Sequence, residues 1–246
     1  MSLTDPQTRP EGGASEGLAT HLARIAGELA AATDEAELTQ IGCKRSLEIV
    51  PADFCGITTR RRRGRLDSVA VTDDLARRCD ALQYELGEGP CVDAALDAQE
   101  HVVHDTALDD RWPRWGPRVA ALGVRSLVSV QLPSVGLAER HEPLGALNLY
   151  AGAPGRFGAR EAEVAKTYAV HLAAAWAAAR RSRTFAEAAE SRHVIGIAQG
   201  VLMATLDLTA DAAFEVLQRV SSSENVKLRD LARRVADAGR LPGTGA

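Results

Sequence analysis

Apolar residues first recur at helical spacing in LATHLARIAGELAAA, where Leu18, Leu22, Ile25 and Leu29 share one face. A second helical run, EAELTQIGCKRSLEIV, has Asp34 ahead of it as a cap and Pro51 behind it as a stop. The period then changes. DFCGITTR and RLDSVAVT are β-rich runs joined by RRRG, the pattern of a hairpin. DLARRCDALQYEL turns helical again and breaks at GEGPC, after which Pro90 starts a short helix through Ala98. HVVHD reads as a short strand and PRWGPRVAALG as a short helix. VRSLVSVQLP and PLGALNLYAGAP form the clearest strand pair of the chain. This order predicts an α+β domain.

From Phe157 the texture differs. Between Gly158 and Asp207 there is no proline, and only Gly196 and Gly200 interrupt helix-forming sequence. Such a run exceeds an ordinary globular helix and predicts a connecting helix that leaves one domain and enters the next. Leu172, Ala175, Ala179, Phe185 and Ala189 trace an apolar seam along it. A break near residues 180–183 is the competing reading. Thr209 caps ADAAFEVLQRVS, and VKLRDLARRVADAG ends at Gly239 and Pro242, so three helices in about fifty residues make a small bundle.

Glycine in a helix interior costs about 1 kcal/mol relative to alanine, so Gly196 and Gly200 need a reason. At about 100° per residue, Val194, Ile195, Ala198, Val201, Leu202 and Leu206 fall on one broad core face. Arg192, Gly196, Gln199, Gly200 and Met203 fall on the other. Gly196, Gly200 and Met203 therefore read as a close-approach face for a second body. On the last helix Leu228, Leu231, Ala232 and Val235 are the buried stripe, leaving Lys227, Arg229, Arg233 and Arg234 outside. Residues 219–240 carry six basic and three acidic side chains within a chain of net charge −4. That local excess suits phosphate, although a solvated helix face has the same composition.

Composition adds bounds rather than identity. With 246 residues, 46% of them hydrophobic, the chain can bury a sizeable core. The mild net charge predicts no partner by itself, and no apolar run approaches the ~20 residues that span a bilayer. Residues 1–16, rich in Pro, Gly and polar side chains, read as a disordered tail without a secretory signal. Cys43, Cys55, Cys79 and Cys91 form no CxxC and no disulfide framework. These features predict a cytoplasmic protein.

RHVIGIAQGVLMATLDLTADAAFEVLQRVSSSENVKLRDLARRVAD resembles the ANTAR domain, the RNA-binding output module of transcription antitermination regulators. The resemblance rests on A-x-G-x-LM, the AF pair opening the second helix, L-x-x-x-S at its end, and KLRDLA in the third. It implies a three-helix bundle that, usually as a dimer, binds tandem stem-loops in nascent mRNA and prevents a terminator hairpin from forming. Ala198, Ala212 or Ala213, and Ala232 match its small packing positions. Gln199 stands where many members have lysine, which removes a phosphate contact. Arg192, Gln199, Lys227, Arg229 and Arg233 are the candidate RNA-binding residues; Phe214 reads as core rather than a stacking platform.

DALQYELGEGPCVDAALDAQEHVVHDTALDDRWPRW, followed by GVRSLVSVQLP and PLGALNLYA, resembles a GAF domain of the type found ahead of ANTAR in actinobacteria, with GEGPC and DDRWP its most specific pieces. The resemblance implies an α+β fold, an antiparallel sheet flanked by helices, with a small-molecule pocket or a dimerisation surface. It names no ligand, so the cofactor stays unknown. The domains then run 17–183 for GAF, 184–190 for a helical linker and 191–242 for ANTAR.

Chemistry in the first domain is sparse. Cys91 follows Gly-Glu-Gly-Pro, and a helix N-terminus there would lower its thiol pKa and make it a candidate sensor. A buried structural cysteine is the simpler reading. His101 and His104, three apart on a strand, point to opposite faces, so no metal is expected. The arginines at 60–63 read as a solvated hairpin turn, and Trp112 and Trp115 as caps on the sheet. No nucleophile–base arrangement or phosphate-cradling loop appears, so no enzymatic activity is expected. The reading is a homodimeric, signal-responsive RNA-binding regulator. Two rivals stand against it: a DNA-binding transcription factor, and a small-molecule-binding protein whose C-terminal bundle only dimerises.

Overall fold

The computed structural model describes residues 13–61, 64–96, 100–134 and 143–241. Two compact units are present, Met1–Arg180 and Arg181–Ala246. Helix α1 (Gly13–Ala31) begins inside the stretch expected to be tail, and residues 1–12 lie outside the described ones. Helix α2 (Glu35–Ile49) starts as the sequence predicts, with the Asp34 carboxylate accepting from the Glu37 amide at 2.8 Å.

The first unit is built on five strands, β1 (Phe54–Arg60), β2 (Leu66–Val71), β3 (His101–Val103), β4 (Ser126–Leu132) and β5 (Gly145–Ala151). They lie in the order β2-β1-β5-β4-β3 and every neighbouring pair is antiparallel. Between them come α3 (Asp74–Leu86), α4 (Pro90–Leu96) and α5 (Gly116–Ala121). Gly145 has φ 154°, and a Cβ there would collide with the Thr58 carbonyl, so the join of β5 to β1 requires glycine.

Strand alternation assigns the two faces of the sheet. Cys55 and Ile57 of β1, Val128 and Val130 of β4, and Leu147 and Leu149 of β5 point one way, into a core shared with α1 and α2. Helix α6 (Ala159–Leu206) completes that core through Tyr168, Leu172 and Trp176, while Ala162, Ala165, Ala169 and Ala173 let it lie close. Each large side chain buried there contributes about 1.5–3 kcal/mol. On the other face Phe54, Leu127 and Tyr150 pack with Trp112, Trp115, Val119 and Cys79. Both faces are covered, which is why the central strands read as almost continuous apolar runs.

The second unit is a three-helix bundle made by the C-terminal part of α6 with α7 (Ala210–Glu224) and α8 (Leu228–Ala238). Ala198, Leu202, Ala213, Leu217, Leu231, Ala232 and Val235 are its fully buried residues. Of the two candidates for the second small position, Ala213 is buried and Ala212 only half-buried. Thr209 caps α7 by accepting from the Ala212 amide at 3.3 Å, and Gly239 ends α8 in the left-handed region. Helix α6 is continuous through residues 180–183, so the competing break is absent. The apolar seam does not run its length. Leu172 belongs to the first core, whereas Phe185 is 75% exposed and Ala189 is exposed. Leu206, assigned to the bundle core by the wheel, is exposed: it is the last residue of α6 and lies outside the cluster of side chains that forms the core.

Candidate functional site

Two places in the molecule bring chemistry together. The first is the exposed surface of the C-terminal bundle. Arg192, Lys227, Arg229 and Arg233 all reach solvent there. Arg229 and Arg233, one turn apart on α8, share a shallow cleft of about 240 Å³ with Glu187, Glu190, Ser191 and Val194 of α6. Arg233 Nη2 donates to Glu190 Oε1 at 2.5 Å, and Arg229 Nε lies 3.5 Å from Asp230 Oδ1. The cleft is therefore of mixed sign, not a plain basic groove. Arg192 and Lys227 do not line it.

Gln199 has a different position from the cations. It is half-buried, and its Nε2 donates to the Ala210 carbonyl at 3.1 Å, tying α6 to the first residue of α7. Gly196 and Gly200 are exposed, and a Cβ at either would meet nothing within 4 Å. The bundle itself therefore does not require glycine at these positions. Met203 is 39% exposed beside them, and Ile197, on the same side, is 44% exposed. Phe214, expected in the core, is half-buried and lies outside the cluster of side chains that forms it.

The second place is buried in the first unit, on the sheet face toward α3 and α4. Thr58 of β1, Ser129 of β4 and Asn148 of β5 point into it, all three fully buried. They meet Asp80 and Tyr84 of α3, Ser68 of β2 and Cys91 of α4. Asp80 has no exposed surface. Its Oδ1 accepts from the Tyr150 hydroxyl at 2.5 Å and from Asn148 Nδ2 at 2.9 Å, and its Oδ2 accepts from Ser68 Oγ at 2.9 Å. Gly56 leaves the room, since a Cβ there would sit 2.6 Å from Asp80 Oδ2. Burial pushes the Asp80 carboxyl up to about 6, and the three donors hold it from rising further. The Tyr84 hydroxyl bridges Thr58 at 2.6 Å and Ser68 at 3.0 Å, and Tyr84 also lines an outer cleft of about 530 Å³ with Leu66, Asp67 and Val92. A surface opening thus connects by two hydrogen bonds to a buried carboxylate.

Cys91 belongs to this cluster as the buried cysteine of the simpler reading, and the lowered thiol pKa expected from a helix N-terminus is not found. The residue does stand in the first turn of α4, but it is fully buried, with Sγ 3.1 Å from Thr58 Oγ1 and 3.0 Å from Asn148 Nδ2. Burial, with the Asp80 charge adding to it, pushes the thiol up, not down. The weak field of a seven-residue helix does not offset that desolvation.

The remaining candidates are structural. His101 packs edge-on to Trp112 at 5.6 Å, while His104 lies exposed beyond the end of β3. Among the described residues no group of three or more His, Cys, Asp or Glu side chains is placed to hold a metal. Arg61 pairs with Asp67 at 3.1 Å; Arg62 and Arg63 lie outside the described residues, as does Pro242. Among the described residues no single helix is long and apolar enough to cross a membrane.

Residue-by-residue reasoning on the sequence did not find Asp80, Asn148, Tyr84, Thr58 or Ser68. A usable signal existed in the strands themselves: Ser129 in the middle of SLVSVQL and Asn148 in the middle of GALNLYA are polar residues flanked on both sides by apolar ones. In register these two are direct partners across β4 and β5.

Comparison with known proteins agrees with both halves. The GAF domain family matches residues 32–177 and the ANTAR domain matches residues 183–235. The GAF domain of a phosphoenolpyruvate-protein phosphotransferase from Coxiella burnetii is 21% identical, with a TM-score of 0.54 over 69% of this chain and 98% of that one. Free methionine-R-sulfoxide reductase from Neisseria meningitidis is 15% identical, with a TM-score of 0.52 over 74% of this chain and 98% of that one. The Stigmatella aurantiaca phytochrome photosensory core module is 9% identical, with a TM-score of 0.56 over 85% of this chain and 45% of that one. At these identities the likeness is one of fold. No curated protein matches the chain.

Proposed function

Because the chain belongs to the GAF domain family through residues 32–177 and carries an ANTAR domain over residues 183–235, we propose that it is a signal-responsive regulator of transcription antitermination. In this reading the ANTAR bundle, as part of a cytoplasmic homodimer, binds stem-loops in nascent mRNA, and the GAF domain sets its affinity. Arg192, Lys227, Arg229 and Arg233 meet the phosphates, and Gln199 offers its amide only when its bond to Ala210 gives way. Gly196, Gly200 and Met203 form the face that a second body approaches closely. A small molecule at the GAF domain supplies the signal, entering by the cleft that Tyr84 lines.

The observation that carries the reading is the unbroken α6. Its first part supplies Tyr168, Leu172 and Trp176 to the core of the GAF domain, and its last part supplies Ala198 and Leu202 to the core of the ANTAR bundle. One continuous helix thus has residues in both cores, and a ligand that repacks the first need shift affinity only five- to about 150-fold to regulate, a coupling of about 1–3 kcal/mol.

Binding of the full chain to a two-hairpin RNA and to a duplex DNA of the same sequence tests the class of partner. The RNA binds at least tenfold more tightly; equal affinity for the duplex would favour a DNA-binding factor. Substituting Lys227, Arg229 and Arg233 together by alanine abolishes antitermination and leaves self-association intact. Unchanged antitermination in that variant would favour a bundle that only dimerises.

A further inference from the structure

Four thiols are buried in the first unit, and two of them touch. Cys43 lies on the inner face of α2 and Cys55 on β1 opposite it, both with no exposed surface, and their Sγ atoms are 3.1 Å apart. A contraction of about 1 Å would bring them to the ~2.05 Å of a covalent bond. No other pair of thiols is in contact among the described residues: Cys91 instead bonds Thr58 and Asn148 on the opposite face of the sheet. The Cys43–Cys55 contact has no part in the polar cluster or in the RNA reading.

We propose that Cys43 and Cys55 form a reversible disulfide under hydroperoxide oxidants, and that its closure alters the packing of α6 against α2. The chemistry balances with the peroxide as the two-electron acceptor. One sulfur, as thiolate, attacks a peroxide oxygen; the O–O bond breaks, a sulfenic acid forms, and water or an alcohol leaves. The second sulfur displaces the sulfenic oxygen, which departs as a second water carrying the second thiol's proton. Burial pushes the Cys43 thiol up and slows the first step. The second step is then intramolecular between atoms already in contact, which favours the disulfide over further oxidation of the sulfenic acid.

The link to α6 is the residue next to Cys43. The Tyr168 hydroxyl of α6 donates to the Gly42 carbonyl at 2.7 Å. A Cβ on Gly42 would stand 2.5 Å from Leu172 Cδ1, so this turn of α2 has no slack against α6. Drawing Cys43 toward β1 displaces that turn.

The test treats the full chain with hydrogen peroxide, blocks remaining thiols under denaturing conditions, and maps peptides without reduction, alongside amide hydrogen exchange of oxidised and reduced protein. The expected product joins the Cys43 and Cys55 peptides with loss of two hydrogens and is reversed by dithiothreitol. Protection changes in α6 peptides containing Tyr168 and Leu172. Cys79→Ser and Cys91→Ser keep the cross-link, and Cys55→Ser loses it. The wild-type map needs no variant, so a folding defect in a serine mutant does not decide the matter. Oxidation confined to single cysteines, a disulfide elsewhere, no oxidation at all, or a Cys43–Cys55 disulfide that leaves α6 exchange unchanged each overturns the proposal.

Discussion

Asp80 and Arg233 are the charged groups around which the two units gather their chemistry, and they are housed in opposite ways. Asp80 has no exposed surface and holds three hydrogen-bond donors. The Arg233 side chain is 59% exposed and pairs with Glu190, itself 63% exposed. In the interior a charge is costly and its partners are fixed, so altering it shows first in stability. At the surface water substitutes for any partner, so altering a charge shows in what the surface binds. On the proposed function, a signal at the GAF domain would act on a tightly determined network, and the ANTAR bundle would offer a polyanion loosely held groups.

The strongest way to break this contrast is to remove the buried carboxylate. Asp80→Ala leaves the Tyr150 hydroxyl, Asn148 and Ser68 without their acceptor, at about 1–3 kcal/mol for each buried group left unsatisfied. The net loss, after relief from burying a charge, is about 4 kcal/mol. Trp112, Trp115 and Trp176 all belong to the first unit, and they are the only tryptophans of the chain. Urea unfolding followed by tryptophan fluorescence thus reads this unit alone. A loss under 1 kcal/mol would show that the network is not determined by its acid.

pH sharpens the same point. The Asp80 pKa is raised from 3.8 to about 6 in the folded state. Its contribution is fully present below pH 4, where both states bind the proton, and is lost as pH rises through 6. The shift corresponds to about 3 kcal/mol. Glu28, Glu48, Glu88 and Asp105 are shifted the other way by arginine partners, so the whole-chain profile mixes signs. The difference between wild type and Asp80→Asn isolates the one group. Relative to Asp80→Asn, wild type loses about 3 kcal/mol between pH 4 and pH 7 and changes little above. A flat difference would mean that Asp80 titrates as an exposed carboxylate does.

The same contrast explains what could be read from the sequence. Among the described residues the elements appear in the predicted order because period, caps and stops are local properties: Asp34 before α2, Thr209 before α7 and Gly239 after α8 act within a few residues of themselves. The exposed cations of the bundle were legible for the same reason, since one helix wheel separates Leu231 and Val235 from Arg229 and Arg233. The buried cluster joins residues from β1, β2, α3, α4, β4 and β5, as far apart as 90 positions between Thr58 and Asn148. Only the pairing of β1 with β5, which sets Thr58 opposite Ala146 and Gly56 opposite Asn148, brings them together. The lowered pKa expected of the Cys91 thiol is missing for a related reason. The helix-start position of Cys91 is local, whereas the burial that raises its pKa is made by the whole fold.

A smaller effect separates stability from recognition in the second unit. Gly196→Ala with Gly200→Ala adds two methyl groups into open space, where a Cβ at each position has no neighbour within 4 Å. Each substitution adds about 1 kcal/mol of helix propensity. Amide exchange at Ala198 and Leu202 slows about thirty-fold if the two gains add and these amides exchange by global opening of the bundle. Over the same surface, RNA binding or self-association weakens at least tenfold, because two methyls now stand where a second body must approach. Slower exchange with both associations intact would leave this face idle. No gain in stability would mean that the glycines serve the bundle itself.

The smallest expected effect concerns Glu190. Its pair with Arg233 is exposed on both sides, and such pairs contribute no more than about 1 kcal/mol. Even so, Glu190 places a negative charge beside the two arginines of the α6–α8 cleft, where an RNA phosphate would compete for Arg233. Glu190→Gln removes that competitor and keeps the side chain's size. RNA affinity should rise by no more than about five-fold, with bundle stability changed by less than 1 kcal/mol. The gain should shrink as salt is raised, since screening weakens the Glu190 charge that the substitution removes. The decisive comparison is Glu190→Gln made in an Arg233→Ala background. If the gain there persists undiminished, Glu190 repels RNA through space and does not hold Arg233 back. If it disappears, the ion pair is what an incoming phosphate has to open.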